Sequence, residues 1–293
     1  MNGSTLTLGL VGALAAAGAL GQRQGRSRFG SRAATSALTP IASVPSGFSE
    51  SPLDFVGGYA LQQSIRDFDE PGLYHVTTNL PAVLADGRLK SRRQLRGQGR
   101  ASAGLGGGYR DQAPGMISVS VDLLAARRVL NAMRMMARAV RGQISSKVAL
   151  KQIKDFSSLA LDDIDQRLEE LAQSGSEEDE AYIEQVEADL VAAGQRVLKA
   201  KPGPDLYTAL TAWEGEVERL RRELRHGWED DVSACSASVG FTEPAHKFER
   251  ILPENIGLLK LAARRGASVD FVDGECEIRF SPSDLSLVAY TRG

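Results

Sequence analysis

The residues able to do chemistry in this 293-residue chain are few and widely spaced. The three histidines, His75, His226 and His246, and the two cysteines, Cys235 and Cys276, form no HxH, HExxH or CxxC pattern. A metal centre is therefore not expected, and one distant cysteine pair makes no disulfide scaffold. His75 falls in a short β-prone run, Leu73 to Thr77, beside Tyr74. Ser118 and Ser120 alternate along a second such run, which places both hydroxyls on one strand face. Two glutamates are candidates for acid–base work or for stabilising positive charge: Glu249, in Phe248 to Ile256, and Glu277, in the pattern Glu275-Cys276-Glu277. A solvent-facing carboxylate is the ordinary state of Glu, so residue type alone assigns neither a role. The glycine-rich stretch Gly104 to Gly108, ending at Tyr109, has no strand directly before it and breaks the GxGxxG spacing. It also lacks the GK[ST] of a phosphate-binding loop.

The elements that must position these groups can be read in outline. With 42% hydrophobic and 25% charged residues the composition is that of a globular protein. Pro71-Gly72 and Asn79 bound the first strand. Asn79 can then cap a helix carrying Leu80, Val83 and Leu84, which Gly87 ends. Met116 to Val121 reads as the second strand, and Asp122 caps a helix through Leu123, Ala126, Val129, Leu130 and Met133. A short helix is expected between Phe55 and Asp67.

From about Val121 to Asp231 the pattern is almost wholly helical, with breaks expected at Gly175-Ser176 and Lys201 to Pro204. Apolar stripes at Ile164, Leu168 and Leu171, at Ile183, Val186, Leu190 and Val197, and from Leu206 to Leu224 indicate antiparallel amphipathic hairpins. The acidic run Glu177 to Glu180 suits a helix start, where the macrodipole favours carboxylates. Afterwards strands are expected at Cys235 to Phe241, Phe248 to Leu252, Ser268 to Val272, Cys276 to Phe280 and Leu287 to Tyr290. A turn or short helix is expected from Pro253 to Leu261. The run holding Glu277 looks like a terminal edge strand. The organisation is thus an apolar segment (1–21), a linker rich in Ser, Arg, Gly and Pro (22–54), and a first core half (55–130). A helical insertion (131–231) and a second core half (232–293) follow. The fold class is α+β, a mixed sheet completed by the C-terminal segment.

Leu6 to Gly21 is apolar and uncharged, marginal in length for a bilayer span, and followed by Arg23, Arg26, Arg28 and Arg32. It reads equally as a membrane or partner-helix contact and as an arm outside the main fold. If it inserts, the positive-inside tendency keeps the remainder on the cytoplasmic side. The net charge of −2 makes no global case for nucleic acid, but the six basic residues from Arg88 to Arg100 could form a local face for it.

The segment Tyr74-His75-Val76-Thr77, with Asn79 to Ser91 after it, resembles the opening strand and helix of ADP-ribosyltransferase-like domains. The similarity is to the branch of DarT toxins and RNA 2′-phosphotransferases. Gly104 to Tyr109 followed by Ile117 to Asp122 looks like that superfamily's glycine loop and second strand. The resemblance implies that NAD is bound as a substrate, with Tyr74, His75, Thr77, Tyr109, Ser118 and Ser120 around it and His75 on the nicotinamide-side ribose. It also implies a carboxylate acting at the ribosyl centre. Phe248 to Ile256 resembles the Glu-bearing segment of that branch, which favours Glu249. The E-x-E spacing, similar to that of arginine-modifying transferases, makes Glu277 the alternative. The chain departs from the family in lacking an Arg-first R-S-E motif and the second Tyr of the H-Y-E class. The implied activity is transfer of ADP-ribose to a protein or nucleic acid. The rival is a non-catalytic structural or interaction protein on a similar scaffold.

Overall fold

Local sequence signals set most of the element boundaries in the computed structural model, which describes residues 38–98, 115–224, 245–272 and 277–292. Two short strands, β1 (Thr39–Pro40) and β2 (Phe48–Ser49), precede helix α1 (Tyr59–Arg66) and strand β3 (Pro71–Thr77). Helix α2 (Leu80–Asp86) starts where the Asn79 side chain accepts from the Ala82 N–H, and stops at Gly87, whose φ of 63° is left-handed. Helix α3 (Arg92–Gly97) and strand β4 (Ile117–Asp122) follow. Asp122 then caps α4 (Leu123–Val140) by accepting from the Ala125 N–H.

The helical block continues with α5 (Ser146–Phe156), α6 (Ser158–Ala172), α7 (Glu177–Lys199) and α8 (Pro204–Leu224). Its expected breaks are present, with Gly175 and Gly203 both at positive φ. The acidic run does open a helix, capped by Ser176. Helix α9 (Ala245–Phe248), strands β5 (Gly257–Arg264), β6 (Asp270–Val272) and β7 (Glu277–Phe280), and strand β8 (Leu285–Arg292) complete the chain.

The strands form one sheet in the order β1-β8-β5-β3-β4-β7-β6, with β2 pairing β5. Every described pairing is antiparallel, where a mixed sheet was expected. Side-chain alternation gives the sheet two covered faces. Tyr74 and Leu258 join the α4 to α8 side chains in one apolar cluster. Leu73, Val119, Leu259, Leu261 and Ile278 join Ile65, Leu80 and Leu89 in the other. Strands and helical block lie in a single compact unit spanning Ser36–Gly293.

Four further expectations fail. Phe248 to Leu252 is not a strand: α9 ends at Phe248, and Ile251 closes a turn onto its carbonyl. The turn or helix expected up to Leu261 is only a 3-10 turn at Pro253–Asn255, after which Gly257–Arg264 is the strand between β3 and β8. Its Leu- and Ala-rich sequence favours a helix locally. Burial on both faces overrides that preference, and a doubly covered strand has no polar alternation to betray it. The Glu277 run is not the terminal edge strand: β7 lies between β4 and β6, and the last strand, β8, lies between β1 and β5. The linker expected up to residue 54 supplies β1, β2 and a 3-10 turn at Pro52–Asp54. Residues 1–37, Gly104 to Tyr109, Cys235 to Phe241 and the Glu275-Cys276 pair lie outside the described residues. Among the described residues no helix is long and apolar enough to cross a membrane.

Candidate active site

The sheet divides between β3 and β4. Their ladder pairs Pro71 with Asp122 and Tyr74 with Ser120, and stops there. Beyond that point each strand keeps only its outer neighbour. β3 stays paired with β5 from Leu73 to Thr77, and β4 with β7 from Ser120 back to Ile117. The result is a fork in the hydrogen-bond ladder, paired at Pro71 and Asp122 and unpaired toward Thr77 and Ile117.

His75 stands in this fork. Its Nδ1 lies 2.8 Å from the Ser118 carbonyl oxygen. A carbonyl only accepts, so Nδ1 carries the proton, and in the neutral ring Nε2 is then the acceptor. The bond satisfies a β4 carbonyl that the interrupted ladder no longer serves, so one side chain both holds the fork and has its tautomer chosen by it.

The serine expectation is met. Ile117, Val119 and Val121 are buried, while Ser118 and Ser120 are half-buried on the opposite face. On that face a row crosses the sheet from Lys260 through Tyr74 and Ser120 to Glu277, each directly opposite the next. A second row sets Ser118 opposite Arg279, and Arg279 opposite Asp270. Arg279 is buried, with its Nη1 3.5 Å from the Asp270 carboxylate. This guanidinium beside Ser118 was missed in the sequence. Its only signal there is two-residue spacing from Glu277, which shows no function without the pairing to β4.

Several expected cofactor residues are used by the fold itself. Tyr74 is buried beneath α4, with its ring over Gly72, where an added Cβ would come within 2.8 Å of ring carbons. Burial pushes its phenol up to about 12, and Glu70, Asp122 and Glu50 add to the rise, so it stays neutral. Thr77 is buried, and its Oγ1 accepts from the Asn79 N–H, bracing the start of α2. The Ser120 hydroxyl donates to the Asp122 carbonyl and accepts from the Asp122 N–H. Strand alternation sets His75 and Thr77 on the face opposite Tyr74, Ser118 and Ser120. His75 therefore meets the serine strand at the gap and not across a shared surface. Tyr109 lies outside the described residues.

The two glutamates are separated. Glu277 is half-buried opposite Ser120. Glu249 is exposed in the turn after α9, and its backbone carbonyl accepts from Arg141 at the far end of α4. Arg141 lies about 29 Å along that helix from Asp122. No group of acidic, His or Cys side chains that could hold a metal occurs among the described residues. No protein-family model, no curated protein and no solved structure matches this chain. What the site can do is set by its own groups: an oriented imidazole, an open serine hydroxyl, a buried guanidinium and one carboxylate.

Proposed function

We propose that the protein is an NAD-dependent ADP-ribosyltransferase acting on a macromolecular acceptor, with its site in the β3–β4 fork. The observation that carries this reading is the interrupted ladder with His75 bridging it. Strand backbone left unpaired where a ladder ends, with polar groups beside it, can receive an extended ligand. The Ser118 hydroxyl and the Arg279 guanidinium suit the hydroxyl and phosphate groups of a dinucleotide. His75 suits a ribose hydroxyl. Cleaving the nicotinamide–ribose bond builds positive charge on the sugar, and a carboxylate stabilises that charge or takes the acceptor's proton. Glu277 is the better placed of the two candidates, because it shares a row with Ser120 while Glu249 lies with the helical block.

A second reading, a non-catalytic scaffold, is favoured by Tyr74, Thr77 and Ser120, all of which are engaged within the fold. Labelled NAD offered to the wild type, Glu277→Gln and Glu249→Gln separates the two. Transfer should fall by about 100-fold or more in Glu277→Gln and persist in Glu249→Gln, the usual scale for losing an acid–base group. Neither turnover nor an NAD-induced rise in Tm in the wild type would remove the enzyme reading.

A further inference from the structure

One end of the helical block gathers basic and exposed aliphatic side chains together. The end of α4, the start of α5, the end of α7 and the start of α8 meet there. Gly203 N–H donates to the Ala139 carbonyl at 3.0 Å, and the Ser146 hydroxyl donates to the Ala200 carbonyl at 2.6 Å. Arg141 joins the segment after α9 to the same end through the Glu249 carbonyl at 2.7 Å. Exposed on this end are Arg138, Arg141, Lys147, Lys199, Lys201 and Arg250, against the exposed carboxylates of Asp205, Glu249 and Glu254.

Among the described residues none of these six cations has a carboxylate partner. Elsewhere in the block Arg167, Arg219, Arg221 and Arg222 each have one, while Lys151, Lys154 and Arg196 do not, so it is the clustering of six at one end that matters. Helix C-termini ordinarily attract cations, which accounts for Arg138 and Lys199. It does not account for Lys147, which lies in the first turn of α5, where the dipole disfavours it.

Of the six large hydrophobic side chains that stand exposed among the described residues, three lie at this end. Val148 is 47% exposed, Leu198 44% and Leu252 38%. Val148 follows Lys147, Leu198 precedes Lys199, and Leu252 lies two residues from Arg250. Single exposed aliphatics are common and mean little. Aliphatics interleaved with unpaired cations are what an anionic lipid surface rewards, since the charges meet the headgroups and the apolar tips enter the acyl boundary.

We infer that this end of the helical block docks on the surface of an anionic lipid bilayer. The surface shares no residue with the β3–β4 fork, and it stands whether or not the fork binds NAD. A nucleic-acid strand would also meet the charges, but exposed aromatic rings, on which bases would stack, are not among the large hydrophobics at this end.

The test is flotation of the full chain with phosphatidylcholine vesicles, with and without about one third phosphatidylserine. The wild type should partition more strongly onto the phosphatidylserine vesicles. Lys199→Gln with Lys201→Gln should lower that partition by about 25-fold, roughly fivefold per cation. Val148→Ser with Leu252→Ser should lower what remains bound at high salt. Arg222→Gln, 74% exposed and toward the other end of α8, should change nothing. An unchanged Tm in each variant shows that the fold is kept. Equal binding by wild type and the lysine variant, equal loss in Arg222→Gln, or no preference for phosphatidylserine would overturn the proposal. So would binding of an oligothymidylate that the lysine variant abolishes, with no vesicle binding.

Discussion

The helical block and the sheet use their polar side chains differently. Along α6, α7 and α8, away from the basic end, charges close on one another. Arg219 reaches Asp189, Glu216 and Glu223 at 2.9, 2.6 and 2.7 Å, and buried Arg221 reaches Asp163 at 3.0 Å. In the fork, polar side chains close on backbone: His75 on the Ser118 carbonyl, Thr77 on the Asn79 N–H, Ser120 on Asp122. These paired charges tie helix to helix, α7 to α8 and α6 to α8. A side chain held by the backbone is fixed in place while its polarity is not cancelled by an opposite charge. The sheet is therefore the place to look for a reaction, and the block for assembly and surface behaviour.

The sharpest way to break this contrast is at the unpaired end of the fork. Leu80 is fully buried, and an added Cβ at Gly257 would sit 2.5 Å from it, so α2 is docked on the β5 end that faces Thr77. Leu80→Ala should cost about 3 kcal/mol in urea unfolding and loosen the unpaired end of the fork. In the block, Arg221→Ala should cost roughly 2 kcal/mol. That is less than for a wholly buried pair, because Asp163 is 37% exposed and recovers water.

Asp165 offers a pH test. Desolvation, with Asp162 and Glu169 on its own helix and Glu187 on α7, pushes its carboxyl from 3.8 up to about 6. The folded state then holds the proton more tightly than the unfolded one. The stabilisation is full below about 4 and is lost as pH rises through about 6. Asp165→Asn should flatten that slope and raise stability at neutral pH by on the order of 1 kcal/mol, after discounting for the residue's exposure. A wild-type Tm that climbs between pH 4 and 6, corrected by a distant control, would contradict it. The smallest effect should come from Arg219→Gln. Its guanidinium is 42% exposed, and loss of its surface pairs should cost below about 1 kcal/mol.

Much of the architecture was legible because its causes are local. Asn79, Asp122 and Ser176 cap the helices they precede, Gly87 and Gly175 take the left-handed turns expected of them, and the Leu206 to Leu224 stripe is buried along its length. Each is decided by neighbours within a few residues. The serine strand face was legible for the same reason, since period-two alternation needs no partner.

The sequence by itself determined the helix starts and stops, the amphipathic block between two strand-bearing segments, and the identity of the polar groups on β3 and β4. Only the tertiary structure decided that Gly257–Arg264 is a central strand, that Phe248 to Leu252 is not one, and which glutamate stands by the serines. His75 and the Ser118 carbonyl are 43 residues apart, and Ser120 and Glu277 meet only through β4–β7 pairing. Such contacts depend on strand order and on where a ladder stops. Those follow from burying both faces of one sheet at once, a condition no short window of residues contains.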